Sequence, residues 1–440
     1  MAKKKAPVLT PEERLKQALV PEAEQPYSIP ENWYWVKAKF IAEIYTGNSI
    51  SEKIKAEKYT GKIYGLPFIA TKDVGFDNEI NYETNVRIPD FSNFKIAPQN
   101  TALLCIEGGS AGRKVGFTTQ DICFGNKLCA FATRTVSSKL IYYMLQSQYF
   151  VDQFSRKKHG LIGGVSVKDL EEIGFSIPPL AEQYRIVSRI ESLFAKLDEA
   201  KEKLQAVIDG HEPRRAAILH RAFTGELTAR WRVNKGTSFT DWRDELLKNV
   251  TTRITAGGDK PEDFTELQDE CHKIPVVANG VSNDGIIGYT SQARVTGETV
   301  TVAGRGTIGH AIFRAYPYYP VVRLIVIEVQ NCLDARYLRC VFEEYPEKGT
   351  GSSIPQLTVP VVKEKRLPVP PIVEQQEIVR ILDSLFAKEQ QVLVAAQAAL
   401  AQIDVIKKSI LARAFRGELG TNDPAEESAV NLIATLPREG

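Results

Sequence analysis

Basic and polar side chains beside glycine-rich turns are the residues of this 440-residue chain best suited to chemistry. Arginine and lysine suit phosphates and guanine edges, whereas asparagine and glutamine suit adenine, so these residue types favour contact with nucleic acid. For any single residue, the alternative is a solvated surface group. In the first half of the chain the candidates are Asn48, Lys53, Lys72, Arg113, Lys114, Arg156, Lys157, Lys158 and Ser166. In the second half they are Asn279, Asn283, Arg305, Thr307, His310, Ser352, Ser353 and Gln356.

The sequence lacks the motifs of enzymes that would act on such a ligand. A methyltransferase acting on adenine N6 needs an Asp/Asn-Pro-Pro-Tyr/Phe loop, but the two Pro-Pro pairs here follow Ile177 and Val369. The glycine-rich run 108–114 lacks the GxxxxGK[ST] spacing of a phosphate-binding loop and leads into Val115-Gly-Phe rather than a helix. We therefore expect no catalytic residues. The run 108–114 is interpreted as a tight turn between strands, with approach to a DNA backbone as the functional alternative.

Cysteine, histidine and charge patterns exclude several other classes. The six cysteines form no CxxC pair and the five histidines no HxxxH pair, so we expect reduced thiols and no metal site. No apolar run approaches eighteen residues, and the charged start of the chain differs from a signal peptide, which predicts a cytoplasmic protein without a membrane partner. The formal charge of +2 is uninformative about nucleic-acid binding.

An internal repeat at an offset of 192 residues dominates the organisation of the chain. Residues 177–196 recur as residues 369–388 with 11 of 20 positions identical, and Arg221-Ala-Phe-Thr-Gly-Glu-Leu227 recurs as Arg413-Ala-Phe-Arg-Gly-Glu-Leu419. Nothing is inserted or deleted between these two blocks, so the element that joins them has a constrained length.

Apolar residues at alternating steps of three and four predict that this element is a long helix with a coiled-coil seam. We expect helices of about 28 and 40 residues that pack antiparallel, with left-handed caps at Gly225 and Gly417. Gly210 and Pro213 predict a break in the first copy only. Glu389 is interpreted as a solvated edge position, with a contact to a partner as the alternative. The predicted seam comprises Ile186, Ile190, Leu193, Leu197, Leu204, Val207, Ile378, Leu382, Leu385, Val392, Ile403 and Ile406.

The segments before the helices, 30–176 and 240–368, are rich in β-forming residues and glycine and have diverged from each other. Tracts 101–106 and 298–303 are typical of buried strands that run into glycine-rich turns. The predicted fold class is therefore α+β: two α/β domains joined by two long antiparallel coiled-coil helices in a pseudo-twofold repeat. Short helices are expected at Thr10-Pro-Glu-Glu13 and Asp423-Pro-Ala-Glu426.

The repeated Ile/Val-Pro-Pro-x-x-Glu-Gln block, its heptad helix and the two Ala-Phe-x-Gly-Glu-Leu blocks resemble the specificity subunits of type I restriction–modification systems. Pro30-Glu-Asn-Trp33 and Gly351-Ser-Ser-Ile-Pro-Gln-Leu357 are also similar, so the resemblance covers nearly the whole chain. It implies the following organisation: an N-terminal extension (1–29), target-recognition domain 1 (30–176), a central conserved helical region (177–232), target-recognition domain 2 (240–368), a distal conserved helical region (369–419) and a C-terminal tail (420–440).

The resemblance also implies a function. Each target-recognition domain would bind one half of an asymmetric, bipartite double-stranded DNA target. The helices would set the spacer and dock two methyltransferase subunits that methylate adenine N6. No cofactor is expected on this chain: S-adenosylmethionine would bind the methyltransferases, and ATP and Mg²⁺ would bind motor/nuclease subunits where the complex contains them. The alternatives are a coiled-coil scaffold that does not bind DNA and a fused restriction–modification enzyme.

Overall fold

The computed structural model describes residues 11–159, 163–346, 356–430 and 432. It divides into two compact units, one formed by the chain up to Lys203 together with the chain from Leu400 onward, and the other by Leu204–Ala399. Among the described residues, no helix has the length and apolarity that crossing a membrane requires. All six cysteines are free thiols, as expected. Burial raises the pKa of the Cys123 and Cys340 thiols to about 11.

The first domain is built on two four-stranded sheets and a two-stranded ribbon that joins its first and last strands. The sheet orders are β2-β9-β6-β7 and β4-β3-β8-β5, the ribbon is β1-β10, and only the β3–β8 pair is parallel. The strands are β1 Tyr34–Lys37, β2 Glu43–Thr46, β3 Leu66–Ile69, β4 Arg87–Ile88, β5 Ile96–Ala97, β6 Ala102–Cys105, β7 Val115–Phe117, β8 Ile122–Phe124, β9 Leu128–Ala132 and β10 Gly174–Ile177. The helices are α1 Pro11–Ala18, α2 Glu52–Ile54, α3 Ser138–Met144, α4 Gln148–Arg156 and α5 Val167–Glu171.

The repeat helix follows Pro178-Pro179, as predicted, and is broken where glycine interrupts the pattern. Helix α6 spans Leu180–Asp209, 30 residues, and α7 spans His211–Phe223 after a break at Gly210. Gly225 then has a φ of +77° at the end of α7, which confirms the left-handed cap.

The second domain repeats the topology of the first despite the divergence of the two sequences. Its sheets are β12-β18-β15-β16 and β14-β13-β17, its ribbon is β11-β19, and the β13–β17 pair is parallel like β3–β8. The elements are α8 Ala229–Lys235, β11 Arg243–Leu246, β12 Thr251–Ala256, β13 Ile274–Val277, β14 Ile286–Thr290, β15 Thr299–Val302, β16 Ala311–Arg314, β17 Tyr319–Pro320, β18 Ile325–Val329, α9 Ala335–Glu344, α10 Val359–Lys363 and β19 Arg366–Val369. The predicted tracts 101–106 and 298–303 contain β6 and β15, which are buried at every position.

The second repeat helix, α11, is continuous over Ile372–Ala414, 43 residues, and Gly417 has a φ of +76° beyond its end. The break in copy one and the continuity of copy two are therefore confirmed. Each copy begins against the end of the other copy. In the first unit, the start of α6 (186–190) packs with Leu411, Ala414 and Phe415. In the second unit, the start of α11 (378–382) packs with Leu219, Ala222 and Phe223 on α7. These three residues are the repeat equivalents, at the offset of 192, of the three at the end of α11.

The predicted seam is correct in part. Ile186, Ile190, Ile378, Leu382 and Ile403 are buried. Leu193, Leu197, Leu204, Val207 and Leu385 are half-buried. The assignments of Val392 and Ile406 are wrong, because these side chains are 46% and 43% exposed. From Glu389, Ala396 and Ile403 the sequence allows the next seam residue to follow after three positions or after four. The prediction used three, whereas in the structure it is four, so Leu393, Leu400 and Lys407 are half-buried instead of the residue before each of them.

Two other expectations are corrected. Glu389 is neither a solvated edge nor a free contact surface, since its carboxylate accepts a 2.9 Å hydrogen bond from Arg214 Nε. The tail has no helix at Asp423, where the chain forms a turn instead. The Asp423 carboxylate accepts from the Ala425 amide, and Arg185 binds the Glu426 carboxylate through both Nη atoms at 2.7 and 2.8 Å. At the other end α1 begins at Pro11, as predicted, while Thr10 lies outside the described residues.

Candidate nucleic-acid interface

The glycine-rich turn of the first domain joins the antiparallel strands β6 and β7. Gly108 and Gly112 have φ values of +85° and +77°, and a Cβ atom at Gly112 would lie 2.5 Å from the Phe154 ring. Glycine is therefore required both by the backbone conformation and by the packing of the turn on α4. The turn leads into a strand and has no helix N-terminus for a phosphate, which supports the interpretation as a tight turn.

Three predicted basic residues lie around this turn. The Arg113 guanidinium and Lys114 Nζ lie 5.3 and 4.9 Å from the centroid of the exposed Phe76 ring. Lys114 Nζ also donates to the carbonyl oxygen of Thr71 at 3.2 Å, next to the exposed Lys72. The structure thus brings Lys72, Arg113 and Lys114 together on two adjacent turns.

The basic cluster at the end of α4 borders the same turn. Lys158 Nζ lies 5.6 Å from the Phe154 ring, on which Gly112 packs. Arg156 and His159 are exposed and Lys157 is half-buried, while residues 160–162 lie outside the described residues. The lysine and arginine side chains of this cluster and those around Phe76 are of the type that neutralises a phosphate backbone.

Other first-domain candidates hold the fold together or lie apart from that surface. Asn48 Oδ1 accepts a 2.7 Å hydrogen bond from the Lys95 amide. Ser166 caps α5 and donates to the Asp169 carboxylate at 2.6 Å. These hydrogen bonds stabilise the local loop structure, and the DNA contacts of both residues stay a prediction. Lys53 lies exposed on α2.

The matching turn of the second domain joins β15 to β16, and Gly306 and Gly309 have φ values of +68° and +83°. Thr307 and His310 are exposed on it and line a cavity of about 750 Å³ together with Arg215 and Arg339. Asn283 lies on the exposed loop before β14 with a φ of +50°. The candidates Ser352 and Ser353 lie outside the described residues.

Arg305 and Gln356 meet at the base of this turn with a residue that was not predicted, Arg323. The Gln356 Oε1 atom accepts from Arg305 Nε and Nη2 at 3.3 and 3.2 Å and from Arg323 Nη1 at 3.4 Å. The candidate Asn279 supports the cluster from below, because its amide bridges the Gly304 nitrogen and the Val322 carbonyl oxygen at 2.8 and 2.7 Å. Arg323 follows an apolar run without glycine or asparagine, so no local signal indicated a turn there.

The Pro-Pro-x-x-Glu-Gln block attaches each domain to its helix, a role that the sequence did not reveal. Glu182 is fully buried and accepts from Trp33 Nε1 at 2.7 Å, from Asn422 Nδ2 at 2.9 Å and from Thr421 Oγ1 at 3.2 Å. The adjacent Gln183 Oε1 accepts from the Ser137 amide at the N-cap of α3.

The second copy has the same attachment with one added charge. Glu374 is fully buried and accepts from Trp242 Nε1 at 3.0 Å and from Thr228 Oγ1 and Arg232 Nη1, both at 2.6 Å. Gln375 Oε1 accepts from the amide of Asp334, the N-cap of α9. Glu374 therefore has a cationic partner among its hydrogen-bond donors, whereas the donors to Glu182 are neutral.

Two domains of one topology, each attached by the same buried Glu-Gln pair to one of two repeated helices, define a class of duplicated recognition proteins. Each domain presents basic side chains on the turn between its matching strands, β6–β7 in the first domain and β15–β16 in the second. Among the described residues, no three His, Cys, Asp or Glu side chains are grouped to hold a metal ion.

The chain belongs to the family described as the type I restriction modification DNA specificity domain, whose model matches residues 30–209 and 244–394. It is similar to a putative type I specificity subunit of Mycoplasma pneumoniae, with 33% identity over 33% of this chain and 45% of the relative. The specificity subunit of the Escherichia coli type I restriction enzyme EcoBI is 24% identical over 93% of this chain and 92% of its own length. The chain spans about half the length of the M. pneumoniae relatives that it matches.

The fold agrees with a solved structure of this kind. The crystal structure of the HsdS subunit from Thermoanaerobacter tengcongensis superposes with a TM-score of 0.64 over 90% of this chain and 100% of that chain. Since the two sequences are 16% identical, this likeness concerns the fold.

Proposed function

We propose that this chain is the DNA-specificity subunit of a type I restriction–modification enzyme and has no catalytic centre of its own. Each domain binds one half of an asymmetric, bipartite target, and the paired helices set the distance between the halves. The observation that carries the proposal is that the two domains share one topology but present different side chains on their turns. The two domains share every strand pairing except that of β5 with β8, and they share the Glu-Trp attachment, whereas the side chains on their matching turns differ.

Partners and cofactors follow from this role. The proposed partners are double-stranded DNA, two methyltransferase subunits that carry S-adenosylmethionine, and, in a cleaving complex, motor/nuclease subunits that use ATP and Mg²⁺. The electropositive turn of the first domain supports the DNA contact, since lysine and arginine at exposed turns neutralise phosphates. A protein that acts on cellular DNA in this way is proposed to be cytoplasmic.

The proposal is tested by expressing the chain with its methyltransferase and mapping methylated adenines across the host genome. The expected result is one asymmetric motif with two defined halves and a gap of constant length. Expression of the methyltransferase alone is the control and should leave that motif unmethylated. A contiguous motif, or methylation that does not depend on this chain, would contradict the proposal; the latter is the result expected of a scaffold that does not bind DNA.

A further inference from the structure

Arg305 and Arg323 place two positive charges on one neutral acceptor. Both guanidinium groups donate to Gln356 Oε1, at 3.2–3.3 Å and 3.4 Å. No carboxylate of the described residues lies within 4.0 Å of either group, and both arginines are exposed. Two like charges held this close repel each other, so the cluster favours an electronegative ligand that bridges them.

Among the described residues, each guanidinium has one two-donor edge that binds no acceptor as a pair. Arg305 uses the Nε side of its fork on Gln356, which leaves the Nη1–Nη2 edge open. Arg323 uses Nη1 alone, which leaves its Nε–Nη2 edge open. A two-donor edge matches two neighbouring acceptors in one plane, such as O6 and N7 of guanine in the major groove.

The turn that carries Arg323 is held in a strained conformation. Val322 and Arg323 have φ values of +55° and +61°, and Val322 is β-branched, a type that rarely adopts this region. Their amides donate to the Gly258 and Gly257 carbonyl oxygens at 2.8 and 3.0 Å, and Asn279 binds the Val322 carbonyl oxygen. A strained turn fixed by three hydrogen bonds keeps Arg323 in a defined position, as sequence-specific contact requires.

We infer that Arg305 and Arg323, positioned by Gln356 and Asn279, contact a guanine edge in the half of the DNA target bound by the second domain. This inference rests on the proposed function and adds the chemistry of one contact. A phosphate can also accept two parallel hydrogen bonds from arginine, but contact with phosphate alone does not require a fixed turn. A guanine edge would make use of the positive charge, the two-donor edges and the fixed turn together.

The corresponding turn of the first domain is built differently. Gly125, the residue after β8, pairs with Asn48, and Val321, the residue after β17, pairs with Gly258 in the same way. The next two residues, Asn126-Lys127 and Val322-Arg323, therefore correspond. Lys127 Nζ lies 3.2 Å from the Glu107 carboxylate, so its charge is paired within the domain. The two domains therefore differ at this position in side chain and in free charge, and we assign the guanine contact to the second domain only.

The test is an Arg→Lys substitution at each position, because lysine keeps the charge for a phosphate but loses the planar fork. The full-length variants R305K and R323K are expressed with the methyltransferase, and the methylated motif is compared with that of the unmodified chain. Discrimination at a guanine of the second half-site should fall about 5- to 150-fold, while the first half-site stays unchanged. R243K is the matched control, since Arg243 is an exposed arginine on β11 of the same domain, and its motif should not change.

Three results would overturn the inference. One is a second half-site without a G·C pair in the motif of the unmodified chain. Another is unchanged discrimination in both lysine variants. The third is a pair of alanine variants, R305A and R323A, that weaken methylation equally at all sequences while the lysine variants behave normally, which would indicate phosphate contact. Absence of any bipartite motif with the unmodified chain would instead contradict the proposed function, so the two failures are distinguishable.

Discussion

At the residue scale, the most constrained side chains are the buried acids of the repeated motif, not the exposed candidates. The sequence has Glu182 and Glu374 in the repeated Pro-Pro-x-x-Glu-Gln block, and both lie in the first turn of a helix, where a carboxylate suits the helix dipole. It could not show that both are fully buried acceptors for a tryptophan from the attached domain, because those tryptophans lie 149 and 132 residues away along the chain. Predicting the motif required only local pattern, whereas predicting its contacts required the fold.

The second copy of this motif, in which Glu374 pairs with Arg232, gives a stability prediction. Replacing Arg232 by Met leaves Glu374 buried with only neutral donors, which should lower the free energy of unfolding by about 3–5 kcal/mol. The double variant R232M/E374Q should be less destabilised than R232M, because a neutral amide leaves no unpaired charge. Tryptophan fluorescence during urea unfolding measures both effects. R366A, which breaks an exposed pair with Asp244, is the control and should cost no more than about 0.5 kcal/mol. Equal losses in R232M and the double variant would refute this account.

The same scale explains why the candidate DNA contacts were predicted only in part. Arg113, Lys114 and Arg305 were found because basic residues beside glycine runs are visible in sequence. Arg323 was missed because its left-handed backbone follows from tertiary contacts with Gly257 and Gly258, and not from its own residue type.

At the element scale, helix length, continuity and caps were predictable because each depends on local chemistry. The register of the seam was not predictable. Because apolar residues on α11 recur at steps of three or four, the sequence allows two different residues at every second seam position. In the structure Lys407 pairs with Asp198 at 2.6 Å, and Lys407 Nζ lies 5.0 Å from the Phe194 ring. Both contacts require Lys407 to face inward and turn Ile406 outward.

Two isoleucines on α11 test this register. Ile403→Ala removes a side chain that is 4% exposed and should lower the free energy of unfolding by about 2–5 kcal/mol. Ile406→Ala, the same change three residues later at a 43% exposed site, should cost less than about 1 kcal/mol. Thermal or urea unfolding of the full chain provides the comparison. A larger loss for Ile406→Ala would restore the register expected from sequence.

At the scale of the whole molecule, the duplication was evident from sequence but the equivalence of the two domains was not. Two of the strands at shared positions, β4 and β17, are two residues long, which is too short to leave a periodic pattern. Common topology is maintained by parallel pairing of β3 with β8 and of β13 with β17, and such long-range pairing leaves no local signal.

The spacing role proposed for the helices predicts the effect of a matched insertion. One heptad added after Ala200 in α6 and one after Gln402 in α11 preserves the seam and lengthens both helices by about 10 Å, or roughly 3 base pairs. The methylated motif should keep both half-sites and gain that much gap. A single insertion in either helix is the control and should impair methylation. An insertion beside Gly225 is a poorer test, because the Gly225 carbonyl oxygen binds Arg232 within the buried Glu374 cluster. An unchanged gap with intact half-sites would contradict the spacing role.

The tail beyond α11 returns to the segment that precedes β1. Asn32 Nδ2 donates to the Asp423 carbonyl oxygen at 3.0 Å, the Ala429 amide donates to the Asn32 carbonyl oxygen at 3.1 Å, and Gly417 packs on Pro30. Segments that lie 391 residues apart along the chain are therefore held together within the first unit. Distance along the sequence is thus a poor guide to which segments stabilise each other in this protein.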